Sequence, residues 1–297
     1  EKAPAAGLGG VALGATGSLP VLEKAGIPYI GGSPQLGEEL TASGAFMFTG
    51  GTVADLLGQA DYALDDLHAK KVGALYVDLP GVLTTVVQAA KIVLGLKGVN
   101  DVKLVAAKAD EADFAPSLKA VSKGDPDVIF VIFPAQSCAR IMQTAKSLGI
   151  TAKMFYPGVC VSRSVVDAAG AGAGGAYFAS GFLPFGDPSP DVTTWRERTK
   201  AESVLSQAGF SVVMDLHALL TKQPGAEVNP AAVTAALKAT KDQPGYMAHA
   251  YTCDGKQVPL LKAVCNADVR ILQYRDGTFA DVLDGWTNGT DLVKLFG

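Results

Sequence analysis

One glycine-rich segment near the start of the chain has a spacing that could bind a nucleotide. The pattern Gly7-x-Gly9-x-x-Ala12 matches the fingerprint of dinucleotide-binding loops, in which glycine lets the backbone approach a pyrophosphate. That fingerprint also needs a preceding strand and an acidic residue about 20 positions further on to hold the ribose. Residues 1–6 lack a strand pattern, and residues 24–37 contain no acid. We therefore interpret the segment as a loop that brings a ligand carboxylate to a helix N-terminus.

A second segment has the residue types of a nucleophile. Ser137 and Cys138 follow a buried strand pattern and open a helix pattern, which is where many hydrolases place a nucleophile. The flanking glycines of G-x-S-x-G are missing, and none of the three histidines is placed to act as its base. We expect Ser137 to cap the helix and Cys138 to pair with Cys160. The sequence thus predicts no catalytic residue, and we expect the protein not to be an enzyme.

Acidic residues at the ends of strands offer no convincing metal site. Asp78 follows a strand pattern, where an aspartate is more often a turn residue than a catalytic one. The acids Asp110, Glu111 and Asp113 lie close together but lack the glycine and terminal glutamate of a calcium loop. We expect a solvated loop there, and the sequence predicts neither a metal nor a cofactor.

The chain has four cysteines, at positions 138, 160, 253 and 265, and none forms a C-x-x-C pair. An even number suits two disulfides in an oxidising compartment. Cys253 and Cys265 flank a turn signal at Asp254-Gly255, so a bridge between them would staple the base of a loop. The alternative is four free, buried thiols in a cytosolic protein.

These residues lie in a pattern of alternating strands and helices. Continuous apolar strands at 71–77, 102–106 and 128–133 are separated by amphipathic helices, which predicts a parallel sheet covered on both faces. Gly26 has the position of a residue that ends a helix, before a short strand at 27–30. Three helix patterns follow residue 190 with no strand between them, and antiparallel strands follow them, so we expect two lobes. The predicted class is α/β.

The loops that follow these strands are the most informative set for function. In open α/β sheets, ligands bind outside the carboxyl ends of the strands. The loops are apolar with a few hydroxyls and amides, and they contain no acid–base pair, which suits holding a small molecule. Their candidate ligand-binding residues are Ser33, Pro34 and Gln35; Leu79 and Val82; Pro134, Ala135 and Gln136; and Gly158 and Val159.

Composition bounds the possible partners. The chain has 297 residues, of which 48% are hydrophobic and 18% charged, so a substantial core is possible. The net charge of −4, with no basic cluster, argues against nucleic acid as a partner. The apolar runs of the sequence are shorter than the roughly 18 residues expected of a membrane span.

Several segments are weak signals alone but form a specific set when taken in order: residues 19–28 (LPVLEKAGIP), 70–78 (KKVGALYVD), 124–130 (GDPDVIF), 145–150 (AKSLGI), 174–178 (GGAYF) and 274–279 (YRDGTF). This ordered set resembles the type I periplasmic solute-binding proteins of the branched-chain amino acid transporter group. The resemblance extends over nearly the whole chain.

The resemblance implies two α/β lobes that close on a ligand by hinge motion. The first lobe would comprise residues 1–50 and 183–248, and the second 51–182 and 249–297, with crossovers near 48–52, 181–185 and 247–252. Members of this group have about 70 residues, the size of two βαβ units, before the first ligand loop. We therefore expect the first lobe to lack its N-terminal part.

The resemblance also implies where the ligand binds. The first lobe would hold it with Gly10, Val11 and Ala12 and with the loop at Ser33, and the second lobe would close with residues near Val82, Pro134 and Gly158, joined by Phe210 from the late helices. The acid that often pairs with an α-amino group in such proteins falls on Gly158. Because an ammonium buried without a partner costs several kcal/mol, the hypothesis from sequence is an apolar or aromatic carboxylate rather than a standard amino acid.

The expected function is therefore capture of a small molecule for an ABC permease, outside the cytoplasm. The protein would be periplasmic or extracellular, either free or lipid-anchored, and a monomer, with the ligand and the permease as its partners. The alternative on the same fold is a ligand-sensing regulator or receptor domain.

Overall fold

The structure, a computed structural model, describes residues 4–10, 15–35, 37–79, 94–95, 97–222 and 227–292. Its elements alternate as predicted. The strands are β1 (Gly7–Gly9), β2 (Tyr29–Gly31), β3 (Ala45–Met47), β4 (Lys71–Val77), β5 (Asp101–Ala107), β6 (Val128–Ile132), β7 (Lys153–Tyr156), β8 (Tyr177–Ser180), β9 (Gln243–Gly245), β10 (Ala248–Tyr251), β11 (Arg270–Arg275) and β12 (Thr278–Asp281). The helices are α1 (Ala15–Lys24), α2 (Gly37–Thr41), α3 (Gly51–Asp65), α4 (Ala115–Ser122), α5 (Ala135–Ser147), α6 (Arg163–Ala169), α7 (Pro190–Thr199), α8 (Val204–Thr221) and α9 (Pro230–Lys238).

The first strands form a small parallel sheet in the order β1-β2-β3. The prediction that the Gly7 segment is a loop was wrong, because Gly7 to Gly9 pair with Tyr29 to Gly31 as a strand. A side chain at position 9 would overlap the Tyr29 hydroxyl, so this glycine is needed for packing inside the sheet. The predicted end of α1 is confirmed: Gly26 has a φ of +66°, and the Ile27 N–H donates to the Leu22 carbonyl at 2.9 Å.

The larger sheet has the order β12-β11-β8-β7-β6-β4-β5. Strands β4 to β8 are parallel, as the continuous apolar runs predict, and every residue of β6 is buried. Strands β11 and β12 complete the sheet in antiparallel orientation. Because β4, β6, β7 and β8 run in one direction, the loops after them emerge at one edge of this sheet. The amphipathic helix expected between the strands at 71–77 and 102–106 falls mainly outside the described residues.

Both predicted disulfides are present. Cys138 of α5 is bonded to Cys160, in the turn after β7, and Cys253 is bonded to Cys265. The second bridge packs in the core of the small sheet with Ile30 and Phe46. The alternative of four free thiols is therefore wrong.

Helix α8 is long and apolar enough to cross a membrane by length and composition alone, which the sequence analysis did not expect of any run. In the structure its residues Val204, Ala208, Val212 and Leu219 are buried among other core side chains. Core packing therefore accounts for these four positions, whereas Leu205 and Val213 of the same helix are exposed.

The predicted crossovers between the lobes lie side by side. The Leu183 N–H donates to the Met247 carbonyl at 2.8 Å, and the ring of Phe48 stacks on Tyr251 with centroids 4.5 Å apart. The lobe boundaries themselves stay a prediction. The parallel bridge between Met47 and Val264 favours assigning residues up to about 265 to the small-sheet lobe, rather than ending that lobe at 248.

Candidate functional site

Two predicted ligand loops of the large sheet are tied together by a disulfide. Pro134 and Ala135 are half-buried at the start of α5, and Gln136 beside them is exposed. Gly158 and Val159 are buried in the 3₁₀ turn after β7. The bond between Cys138 and Cys160 joins the first turn of α5 to this second loop. The sheet edge thus presents the two loops as one unit.

The expected role of Ser137 as the cap of α5 is wrong. The helix begins at Ala135, one residue after Pro134, so Ser137 already lies in its first turn. The Ser137 hydroxyl is buried and donates to the Ala109 carbonyl at 2.8 Å. Together with the disulfide at Cys138, this bond leaves neither side chain available as a nucleophile.

The Ser33 loop is held in place by hydrogen bonds within the small-sheet region. Ser33 and Pro34 are buried and Gln35 is half-buried. The Gln35 N–H donates to Glu39 Oε2 at 2.9 Å, and the other oxygen of Glu39 accepts from the Tyr29 hydroxyl at 3.2 Å. Burial together with the Glu39 carboxylate raises the pKa of Tyr29. This network fixes the loop backbone against β2.

The predicted residues Gly10 and Phe210 meet through helix α8. A Cβ at Gly10 would lie 2.8 Å from the Cα of Gly209, so the end of β1 packs directly on the helix backbone. Phe210 follows on α8, and its ring lies 5.7 Å from that of Tyr246. Val11, Ala12 and Val82, which were also predicted to line the site, lie outside the described residues. Leu79, at the end of β4, is 45% exposed.

The first turns of helix α3 connect the loops of the two sheets, which sequence reasoning missed. Thr52 Oγ1 donates to Gln35 Oε1 at 2.9 Å, and the Thr52 N–H donates to the Pro34 carbonyl at 3.2 Å. One turn further on, Asp55 Oδ2 accepts from the Gly158 N–H at 2.8 Å. The next turn adds Gln59, whose amide donates to the Tyr156 carbonyl at 2.6 Å. This α3 face, defined as Thr52, Asp55 and Gln59, therefore contacts one predicted ligand loop from each sheet.

Asp55 is the charged group at this junction. It is 4% exposed, and burial raises its pKa to about 7, while the Gly158 N–H acts in the opposite direction. No other charged side chain of the described residues contributes to that shift. A carboxyl buried in this way without a cation is a common mark of functional sites.

Helix α8 buries a similar face, defined as Gln207, Ser211 and Asp215, against the crossovers. The Gln207 amide donates to the Leu183 carbonyl at 2.9 Å, and its Oε1 has no hydrogen-bond partner within the described part of the chain. Asp215 Oδ1 accepts from the Tyr246 N–H at 2.8 Å. Burial, followed by the nearby Asp191 charge, raises the pKa of Asp215 to about 7. This α8 face is therefore bonded to Leu183 and Tyr246, at or next to the predicted crossovers, rather than to the predicted ligand loops.

The α3 and α8 faces did carry a signal in the sequence. Polar residues at 52, 55 and 59, and at 207, 211 and 215, recur every three or four positions, which places each set on one side of a helix. Both helices are otherwise rich in Ala, Leu, Val and Gly. Polar residues on the buried side of such a helix predict hydrogen bonds to other elements, although not which ones.

Three other features of the molecule were candidates for a site: the acidic loop, groups of metal ligands and the surface cavities. Residues 110–113 form the expected loop, in which the Asp113 side chain accepts from the Ala115 N–H at the start of α4. Groups of three or more potential metal ligands are absent from the residues that the structure describes. Surface cavities of about 450 Å³ and 490 Å³ are lined by residues other than those of the strand-end loops.

Comparison with known proteins identifies the family of this chain. Residues 4–278 match the family model described as periplasmic binding protein. No curated protein matches the chain in a sequence search.

Several solved structures share the fold at low identity. A leucine-binding protein from Thermotoga maritima aligns with a TM-score of 0.79 and 17% identity over 96% of this chain and 80% of its own. A branched-chain amino acid ABC transporter protein from Thermus thermophilus with bound valine has a TM-score of 0.79 and 17% identity over 99% and 81%. A solute-binding protein of an ABC transporter from Rhodopseudomonas palustris, in complex with 3,4-dihydroxybenzoic acid, has a TM-score of 0.77 and 18% identity over 96% and 79%.

Proposed function

The chain belongs to the family of periplasmic binding proteins, and from this premise we propose that it is the extracytoplasmic solute-binding component of an ABC importer. It captures a small molecule between its two lobes, closes by hinge motion and delivers the ligand to a membrane permease. Its partners are the ligand and the permease. The two disulfides support an oxidising location such as the periplasm or the cell exterior.

The observation that carries this proposal is the junction at the α3 face. The Gln35 loop of the small sheet and the Gly158 loop of the large sheet contact the same helix within two turns. Ligand sites of α/β folds lie beyond the carboxyl ends of strands, and here two such edges meet at one element. A ligand that contacts both loops would therefore favour the closed arrangement of the lobes.

The chemistry of the site supports binding rather than turnover. Cys138 is in a disulfide, and the Ser137 hydroxyl is bonded to a carbonyl. Among the described strand-end loops, no nucleophile lies beside a histidine or other base. The loops supply apolar surface, backbone groups and a few amides, which are the groups that hold and orient a small ligand.

We propose that the ligand carries a carboxylate and an apolar or aromatic body. The apolar Pro134 and Val159 support this, as does Phe210, which follows the Gly209 on which the Gly10 segment packs. The related structures from Thermus thermophilus and Rhodopseudomonas palustris hold valine and 3,4-dihydroxybenzoic acid, both of which have these two features.

Calorimetry with a panel of aliphatic and aromatic carboxylates, combined with small-angle X-ray scattering, tests the proposal. We expect at least one member to bind with micromolar or tighter affinity, typical of ligand capture, and to reduce the radius of gyration. Binding without compaction would contradict hinge closure. Absence of binding throughout the panel would contradict the proposed ligand class.

A further inference from the structure

Asp55 is a buried carboxyl that the family resemblance did not predict. The acid expected to contact a ligand amine maps to position 158, which is glycine here. Yet a Cβ at Gly158 would lie only 3.0 Å from Asp55 Oδ2. The carboxyl of Asp55 therefore occupies the space next to position 158, although it comes from a helix 103 residues earlier in the chain.

The position of Asp55 between the two predicted ligand loops is fixed on both sides. Thr52, one helical turn earlier, is bonded to Gln35 of the first loop by its side chain. The Asp55 carboxylate is bonded to the backbone of Gly158 in the second loop. Gln59, one turn later, anchors the same helix face to the end of β7. The carboxyl is thus held at the junction rather than free to turn away from it.

This carboxyl has no counter-ion among the residues that the structure describes. The turn at 158–160 contributes the Gly158 N–H, and β8 contributes the Ala179 carbonyl, which lies 3.0 Å from the same Cβ position. Within the described part of the chain, no lysine, arginine or histidine affects its ionisation. A carboxylate buried with a single hydrogen bond is unfavourable, and a cation placed beside it would relieve that cost.

We propose that Asp55 is a specificity-determining residue that pairs with a cationic group, such as an ammonium, on the bound ligand. This inference rests on the proposed function and narrows its ligand class to carboxylates that also carry a positive charge. An amino acid then fits the site, because Asp55 of α3 supplies the acidic partner for the ammonium that glycine at position 158 cannot supply.

Matched ligand pairs test this role directly. L-Leucine and 4-methylpentanoate share a carbon skeleton and differ by the ammonium, as do L-phenylalanine and 3-phenylpropanoate. Calorimetry with wild type should show the amino acid of the better-fitting pair binding at least tenfold more tightly than its desamino analogue. In Asp55→Asn the affinities for the amino acid and for its desamino analogue should differ by no more than about twofold. Asparagine keeps an oxygen that can accept from the Gly158 N–H, so the fold should be retained.

Asp215→Asn is the matched control. It also neutralises a buried aspartate that accepts one backbone N–H on a helix, but this carboxyl faces Tyr246 at the hinge. We expect Asp215→Asn to keep the wild-type ratio between amino acid and analogue. An equal loss of the ratio in both variants would show a general effect of buried charge and would overturn the assignment.

The pH dependence of the wild type gives a test without substitution. Binding of the amino acid should weaken by up to tenfold per pH unit below about 7, where Asp55 becomes protonated, and level off above it. Affinity for the analogue should not fall in this way. Tighter binding of the analogue, or an unchanged ratio in Asp55→Asn, would overturn this inference alone. If neither pair binds to wild type, the proposed carboxylate ligand fails and the inference fails with it.

Discussion

Helices α3 and α8 each bury a polar face, yet the two faces contact different parts of the molecule. Each has an aspartate that accepts one backbone N–H at 2.8 Å, and burial raises the pKa of each to about 7. The α3 face reaches loops at the ends of strands, whereas the α8 face reaches Leu183 and Tyr246 in the crossovers. A buried carboxyl on a helix thus accepts from the backbone of a strand-end loop in one case and from the backbone next to a predicted crossover in the other.

The difference teaches that burial and a raised pKa do not by themselves identify a ligand contact. Asp215 lies near Asp191, Tyr246 and Tyr251, beside the predicted crossovers. Asp55 lies next to two loops, and no charged neighbour among the described residues affects its pKa. The contacts of the surrounding backbone, rather than the carboxyl alone, are therefore the basis for proposing different roles for the two aspartates.

The largest loss of stability is expected from disrupting the contact between Gly32 and the backbone of helix α8. A Cβ at Gly32 would lie 2.5 Å from the Ala208 carbonyl oxygen, so Gly32→Val forces the helix away from β2 and should cost about 3 kcal/mol or more of unfolding free energy. Chemical denaturation measures this. The control is Gly209→Ala, because a Cβ there meets nothing within 4 Å and should add up to about 1 kcal/mol. Similar stabilities for the two variants would contradict the close packing of α8.

The next largest losses of stability are expected from removing the disulfides. Replacing Cys138 and Cys160 together by serine should cost about 3 kcal/mol, and the same change at Cys253 and Cys265 slightly less, because the residues are 22 and 12 positions apart. Denaturation of both double variants measures these losses. Only the first should also weaken ligand binding, since it frees the α5 loop from the Gly158 loop. Equal weakening of binding by both would count against that coupling.

Raising the pH should destabilise the protein through both aspartates. A carboxyl whose pKa is about 7 when folded and 3.8 in the reference state holds its proton more tightly in the folded protein. Its contribution is full below about 3.8 and is lost as the pH rises through about 7, by about 2 kcal/mol each between pH 5 and 7. Asp55→Asn and Asp215→Asn should each flatten the measured stability–pH curve. A curve that stays as steep in either variant would show that the carboxyl replaced there is already ionised when folded.

The smallest expected effect is the difference in stability between variants of Gln59 and Gln207. Gln59→Met leaves the Tyr156 carbonyl without its hydrogen bond and should cost about 1–2 kcal/mol. Gln207→Met loses its bond to the Leu183 carbonyl and a long one to Met247 Sδ at 3.9 Å, but it also removes a buried Oε1 that has no partner among the described residues, so it should cost less. Thermal unfolding of both variants provides the comparison. A larger loss for Gln207→Met would indicate that its Oε1 does have a partner, such as an ordered water.

Much of the fold could be predicted because its signals are local. The apolar run at 128–132, the glycine after α1 and the turn at Asp276-Gly277 each specify an element within a few residues. The pairing of Cys138 with Cys160 followed from the expectation that the ends of consecutive parallel strands are neighbours. Local patterns and strand order were therefore sufficient to predict these elements and this disulfide.

The junction at Asp55 could not be predicted in the same way. Its bond to Gly158 spans 103 positions, and the Thr52 contact with Gln35 spans 17, so neither follows from a short pattern. The spacing of 52, 55 and 59 predicts a polar helix face, but only the three-dimensional path of the chain brings the two loops to it. The strand at Gly7 was missed because glycines usually indicate a turn, while here they make room for Tyr29.

The central claim is that α3 recognises the ligand while α8 positions the hinge. It is tested most directly by double electron–electron resonance distances between spin labels at two exposed positions. Lys24 ends helix α1, which packs on the small sheet, and Lys119 lies in helix α4, which packs on the large sheet. With the better-binding amino acid present, wild type should shift to a shorter distance. Asp55→Asn should keep the unliganded distance but need at least tenfold more amino acid for the same shift, whereas Asp215→Asn should alter the unliganded distance and still respond to ligand at the wild-type concentration. A wild-type response to ligand concentration in Asp55→Asn, or the same unliganded change in both variants, would contradict the account.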